Sequence, residues 1–319
     1  MAHPLILTRD AVAAGRRSDI YRAHAAGELS RVRHGVYGRP GELSGTDVKR
    51  DSLYRTQVEA VLATRRAPVV TSVSATTLLG LPLLGKVPDV VYLLAAGTSG
   101  RRRRGVVELV RRGREEIVEV DGQLMTSIPQ SVVQACRHTA FISGLAIVEN
   151  AIRTDRFGRF APLVTLDELW ACYESLLPFP RSVRVRAVLT YATELAETPL
   201  ETLSRVAIDE LGFPQPAQQH ELWLPRIRQR AFLDFAWPEY KVAGEADGWG
   251  KYVDPRYRNG LSPMDLVKRE KRRDDAIRAV HWTPAHWDWN EAYDRLVLRS
   301  ILLEAGLPRT RRARSISFG

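Results

Sequence analysis

The chain has 319 residues, 45% apolar and 26% charged, so it can bury a sizeable core in more than one domain and is too apolar for a disordered polyelectrolyte. Its 47 Lys and Arg against 37 Asp and Glu leave a net charge of +10, which favours a polyanionic partner, nucleic acid ahead of an anionic membrane surface. The two cysteines, Cys136 and Cys172, exclude a disulfide framework and a cysteine zinc site, and no apolar run reaches the ~18 residues of a membrane span, so a cytoplasmic, nucleoid-associated protein without a membrane partner is expected.

Residues 1–45 read as a winged helix-turn-helix. Thr8 can cap a short helix through Ala14, and Ser18 a second from Asp19 to Ala26, with Gly15 and Gly27 ending them. Two β-like pieces, Leu29–Arg33 and Val36–Tyr37, then surround His34-Gly35. Arg16, Arg17, Arg22, Arg31, Arg33 and His34 on the second helix and hairpin make a phosphate-contact set for DNA, or else the solvated face of an interaction module.

After the polar break "RPGELSGTD", residues 46–153 read as an α+β middle domain. It holds a helix over about Val48–Arg65, a strand "DVVYLLAA", and the hairpin "EEIVEVDGQLMTS" turning at Asp121-Gly122. Helices Pro129–Arg137 and Phe141–Arg153 follow. Arg101–Arg104 reads as an exposed loop that adds to the basic field. Residues 154–198 form a helical linker region broken near Pro178.

From Pro199 to residue 306 the pattern is a helix, "PLETLSRVAIDELG", three strand candidates, a helix of mixed charge, a strand "WTPAHWDW" and a last helix over about Asn290–Ala305. Such alternation implies a mixed sheet flanked by helices, and makes the whole chain a multi-domain α/β protein. Residues 307–319 form a basic tail, expected to be disordered.

Within "FLDFAWPEYKVAGEADGWGKY", acidic side chains stand where a strand is otherwise apolar. A hairpin turning around Pro238, Glu239 and Tyr240 sets Asp234 nearly opposite Gly244 and Glu245, so Asp234 and Glu245 share one face at ~5 Å. Asp247 has the parity of Glu245. Converging carboxylates repel unless a cation or proton intervenes, and hard oxygen donors suit Mg²⁺ or Mn²⁺, which stabilise charge on a phosphate. The plain alternative is a strand end, a turn at Asp247-Gly248 and a solvent-facing Glu245. Glu201, near the start of a helix after Pro199, either caps that helix or aims a further carboxylate at the metal. Lys251 lies within reach of a phosphate or a nucleophilic water. Lys271 and Arg273 belong to a helix whose cations either pair at i,i+4 or track a DNA backbone. Trp249 is a candidate for stacking on a base. His281 and His286 flank the late strand and read as structural. No phosphate loop, dinucleotide fingerprint or H-E-x-x-H is present.

These segments resemble the nuclease-type domain of the PD-(D/E)XK superfamily, close to very-short-patch-repair (Vsr-like) endonucleases, over residues 199–290. The resemblance implies that Glu201, Asp234, Glu245 and Asp247 fall on the acidic positions. Lys251 stands where many such relatives carry histidine; Gly244 and "TPAH" are further departures. The front, "ILTRDAVAAGRRSDIYRAHAAGELSRVRHGVYGRP" with "TSVSATTLLGLPLL" and "EVDGQLMTSIPQSVVQACR", is similar to AbiEi-family type IV antitoxins, in which a winged helix precedes a second domain and binds the protein's own promoter. "QSVVQACR" departs from the R-T-L-V-D-L-A-R of relatives. The expected function is a Mg²⁺- or Mn²⁺-dependent DNA endonuclease in repair or defence, with Asp234, Glu245 and Asp247 as ligands, Glu201 and Lys251 assisting, and a winged helix delivering it to DNA. The alternative is a DNA-binding regulator or antitoxin without catalysis, with a cognate toxin or a second copy as partner.

Overall fold

A computed structural model of the chain describes residues 5–40, 50–113, 115–155, 158–247 and 262–316. It divides into two units: one holds the described residues up to Ile152 together with Ala161–Ala192, the other Arg153–Phe160 and the residues from Thr193 onward. Among the described residues, no helix is long and apolar enough to cross a membrane.

The first unit opens with β1 (Ile6–Leu7), α1 (Thr8–Ala13), α2 (Arg17–Ala25), β2 (Ser30–Arg33) and β3 (Val36–Gly38). The strands form an antiparallel sheet in the order β1-β3-β2. Ile20, Leu29 and Tyr37 make its core, with Ile6, Ala11 and Ala23 packed around them. Neither expected cap forms: α1 starts from Leu7 and α2 from Arg16, without side-chain bonds. Thr8 and Ser18 already lie inside the helices, at the first and second helical positions, so neither hydroxyl stands where a cap would.

The same unit continues with α3 (Arg50–Leu62), β4 (Val69–Val70), α4 (Ser72–Leu78), β5 (Val91–Leu94), β6 (Arg101–Arg103), β7 (Val106–Leu109), β8 (Ile117–Val120) and β9 (Gln123–Thr126). Helices α5 (Ile128–His138), α6 (Phe141–Ile152), α7 (Leu166–Leu176) and α8 (Ser182–Tyr191) complete it. The six strands form one mixed sheet, β6-β7-β5-β4-β9-β8. The expected turn at Asp121-Gly122 joins β8 to β9 with both residues at positive φ, 50° and 75°, which matches the twist of a tight hairpin. Arg101–Arg103, expected as a loop, is a strand: it pairs with β7 through Arg101↔Glu108, Arg102↔Val107 and Arg103↔Val106, closed by Arg104-Gly105, again both at positive φ. Helices α7 and α8, in the region read as a linker, pack on α5 and α6 in this unit. Val132, Val133, Leu145, Ile147 and Val148 are fully buried there.

The second unit is built from α9 (Pro199–Leu211), β10 (Ala217–Leu224), β11 (Gln229–Trp237), β12 (Val242–Ala246), α10 (Pro263–Arg278), β13 (Thr283–Trp287), α11 (Trp289–Tyr293) and α12 (Arg295–Glu304). Its sheet runs β10-β11-β12-β13, antiparallel until β13, which is parallel to β12, a pairing that needs a crossover such as the one that includes α10. Adjacent residues of β12 serve opposite faces. Ala243 packs with Leu233, Ala236 and the α10 residues Ala276 and Ile277. Gly244 lies under Trp287, whose Nε1 donates to Ser204 Oγ of α9 at 2.8 Å. The single last helix expected over Asn290–Ala305 is two, because Asp294 ends α11 and caps α12 by accepting from Leu296 N–H at 2.9 Å.

The tail's described residues, expected from sequence to be disordered, make specific contacts with the end of α9. Thr310 N–H bonds Gly212 O at 3.0 Å, Ile316 N–H bonds Glu210 Oε1 at 3.1 Å, and Arg311 and Arg314 both donate to Asp209. The arginines that suggested a solvated tail hold it to the end of α9.

Candidate active site

The strand register brings the first two carboxylates together. β11 and β12 pair through Trp237↔Val242, Ala236↔Ala243 and Phe235↔Gly244, so the next step sets Asp234 beside Glu245. The turn between them, Pro238–Lys241, falls where the sequence placed it. Asp234 Oδ2 accepts the Ala246 N–H at 2.9 Å, which fixes the side chain across the strand pair. Glu245 is 5% exposed, and its Oε1 accepts Arg273 Nη2 at 2.7 Å; the same nitrogen donates to Phe232 O at 2.7 Å. Arg273 thus ties α10 to the sheet while its Nε is buried without a partner.

Glu201 enters from α9. Thr198 caps the helix and Pro199 fills its first position, so Glu201 closes the cap: Oε1 accepts Thr198 Oγ1 at 2.9 Å and Oε2 accepts Glu197 N–H at 3.0 Å. Gln219 Nε2 of β10 adds a third bond at 3.2 Å. Of the two roles considered from sequence, capping is the one its bonds serve. Yet it also feels the site. Burial first, and then the charge of Asp234, push the Glu201 carboxyl up to about 8. Burial and Asp234 likewise push Glu245 up to about 8, with Arg273 opposing. Asp234 is therefore the charge to which both buried carboxyls respond.

Asp247 follows β12 with its N–H on Trp287 O at 2.9 Å, and its Oδ2 lies 2.7 Å from His286 Nδ1. His286 Nε2 lies 3.0 Å from Asp274 Oδ1. The hydrogen bond to Asp247, together with the charges of Asp274 and Asp247, raises the imidazole to about 9 against the opposing effect of burial. At neutral pH it is an imidazolium that donates to both carboxylates. Sequence reading set His286 aside as structural. Its place beside Glu245 follows from the parallel pair Glu245↔His286, which joins residues 41 positions apart, and no local spacing announces it. A cavity of about 580 Å³ adjoins this chain, lined in part by Asp247, Lys271, Asp274, His286 and Glu291.

Lys251 and Trp249 lie outside the described residues. Of the proposed DNA contacts in the first unit, Arg16, Arg17, Arg22, Arg31 and His34 are exposed. Arg22 is paired with Asp19 at 2.6 Å. Arg33 is half-buried and faces a cleft.

Asp234 and Glu245 offer hard oxygen donors from neighbouring strands, the donor type a divalent cation takes, with Glu245 buried and its pKa raised by burial and then by Asp234. Asp247 is engaged by His286 and Glu201 by the helix cap. Among the described residues, no three His, Cys, Asp or Glu side chains are grouped closely enough to hold an ion by themselves.

No protein-family model matches the chain, and no solved structure matches it. It is 24% identical over 200 residues to two Mycobacterium tuberculosis proteins, "Uncharacterized protein MT2308" of strain CDC 1551 / Oshkosh and "Uncharacterized protein Rv2248" of strain H37Rv. Each match covers 60% of this chain and 65% of the relative, just under two thirds of its length.

Proposed function

We propose that the second unit is a metal-dependent DNA endonuclease and that the exposed arginines of the winged helix engage the duplex. The observation that carries this reading is the register that sets Asp234 beside a buried Glu245. A binding module has no use for two repelling carboxylates at the centre of a sheet, whereas phosphodiester hydrolysis does. Asp234 and Glu245 would hold Mg²⁺ or Mn²⁺, which when bound supplies Lewis-acid stabilisation of charge on the phosphate. Arg273 orients Glu245 through its 2.7 Å bond and keeps a positive charge at the same edge of the sheet. The His286 imidazolium, fixed between Asp247 and Asp274, keeps a positive charge at the cavity wall, where it would help offset charge on a phosphate. Glu201, through its bonds to Thr198 and Glu197, sets the start of α9 against the site.

The test is cleavage of plasmid, of duplex, mismatched and single-stranded DNA oligonucleotides, and of RNA, with Mg²⁺ or Mn²⁺. Cleavage is expected in the presence of the ion and is expected to be lost in Asp234→Asn, with the melting transition retained. DNA binding without cutting on every substrate refutes the endonuclease and leaves the regulator or antitoxin; cutting confined to RNA refutes DNA as substrate.

A further inference from the structure

The first unit contains a second charged site. Arg33 from β2, Arg65 just beyond α3, Arg101 and Arg103 from β6, and Arg104 from the following turn line one cavity of about 390 Å³ with Glu108 of β7. Three chain segments, far apart in sequence, deliver these side chains to one place. That distinguishes the cleft from a run of like charges on a solvated face.

Glu108 does not balance it. Its Oε1 accepts Arg65 Nη1 at 2.6 Å and its Oε2 accepts Arg101 Nε at 2.6 Å, so both oxygens are committed. Burial raises the Glu108 pKa, and the bonds and charges of these two arginines more than reverse the rise. Five guanidiniums against one carboxylate leave four net positive charges (5 − 1) around the cavity. Arg33 is the acute case, because its Nε is buried with no hydrogen-bond partner. An orphaned donor on a cation forfeits hydration without compensation. Burial, and then the charge of Arg65, hold the Arg33 pKa below its ordinary value. An oxyanion in the cavity would offset this crowding of like charge. A guanidinium fork matches phosphate geometry through paired N–H donors.

We propose that this arginine cleft is a phosphate-binding site, using Arg33, Arg103 and Arg104 as its uncommitted donors. The inference goes beyond the nuclease reading, since the site belongs to the first unit and requires no hydrolysis. The phosphate has two possible sources: a nucleic-acid backbone running past the wing hairpin that carries Arg31 and His34, or a free phosphate or mononucleotide.

The experiment uses the full chain and three probes: inorganic phosphate, a mononucleoside monophosphate, and a duplex of arbitrary sequence titrated at several salt concentrations. Arg33→Gln and the exposed pair Arg103→Ala/Arg104→Ala are compared with Arg299→Ala, an exposed charge removal in the second unit. Phosphate binding is expected to weaken about tenfold or more in the cleft variants, as for lost charge-assisted hydrogen bonds. If the backbone is the source, their duplex affinity also falls, the salt slope drops by about 0.9 per contact removed, and phosphate competes. If a small anion is the source, phosphate or the mononucleotide binds in an Arg33-dependent way and duplex affinity is unchanged. Circular dichroism checks folding; should Arg33→Gln fail to fold, the Arg103/Arg104 pair carries the same comparison. The proposal is overturned if no phosphate-bearing probe distinguishes the cleft variants from Arg299→Ala.

Discussion

Replacing Gly244 by alanine places a methyl group against the best-packed part of the second unit. An ideal Cβ at that position lies 2.5 Å from Trp287 Cη2, 3.1 Å from Trp287 Cζ3 and 3.1 Å from Phe235 Cβ. Carbon atoms sit comfortably at about 3.5–4.0 Å, so something must move. The indole cannot swing aside freely: it is 1% exposed, stacks on Phe235 at 5.6 Å, and donates Nε1 to Ser204 Oγ at 2.8 Å. Overpacking of this kind costs about 1–3 kcal/mol. Breaking the buried indole bond adds roughly 1–3 kcal/mol. The entropy that alanine removes from the unfolded chain offsets only about 0.4–1 kcal/mol. Gly244→Ala is therefore expected to destabilise the second unit by roughly 2–4 kcal/mol, read as a lower urea midpoint in tryptophan fluorescence. Trimming the ring with Trp287→Phe removes the clashing atoms, so the double variant should be less destabilised than the two single changes summed. A Gly244→Ala protein within about 0.5 kcal/mol of the parent, with an unchanged indole environment, would refute this account of why the strand carries glycine.

Three further outcomes are expected. Asp209 is 3% exposed and accepts from both Arg311 and Arg314, so Asp209→Ala should release the tail, seen as faster tryptic cleavage at those arginines, and cost about 1–3 kcal/mol; unchanged cleavage would count against the strap. His138, stacked on Tyr92 and bonded to Ser72 Oγ, is held down to about 4 by burial and then by Arg137. Its folded-state pKa is depressed, so the unfolded chain binds the extra proton, and stability should fall as pH drops from about 6.5 to about 4, by up to ~3 kcal/mol. His138→Asn should flatten that window, and parallel pH curves for the two proteins would sink the assignment. Burial raises the Cys136 and Cys172 thiols to about 12 and 11. Both should resist a thiol reagent at pH 8 in the folded chain and react in urea; rapid native labelling of Cys136 would show that its site opens.

Local chemistry made part of this structure readable before folding. The turn after Trp237, the Asp121-Gly122 hairpin and the alternation in "FLDFAW" follow from turn residues and side-chain period, and they suffice to bring Asp234 to Glu245. What stayed hidden depends on partners distant in sequence. His286 joins the site only because a parallel strand returns over α10, and Asp274 reaches it from that helix. The tail is held by Asp209 across roughly a hundred residues, and nothing in "RTRRARSIS" specifies that carboxylate. Arg101–Arg103 has no apolar alternation to mark a strand; its pairing rests on backbone bonds to β7 and on the Arg101–Glu108 ion pair. Glu201 was open to two readings because a capping glutamate and a ligand glutamate look identical until Thr198 and Glu197 are seen to occupy its oxygens.

The position of β6 has a consequence for self-assembly. It is the outermost strand of the six, so one row of its peptide groups faces outward as a template for another chain. All three of its side chains are exposed arginines, and a second copy docking along that margin would bring like charge against like at each residue. The run thereby acts as a gatekeeper against fibrillar stacking. Its vigilance is ionic, strongest in dilute buffer and relaxed wherever concentrated electrolyte shields the guanidiniums.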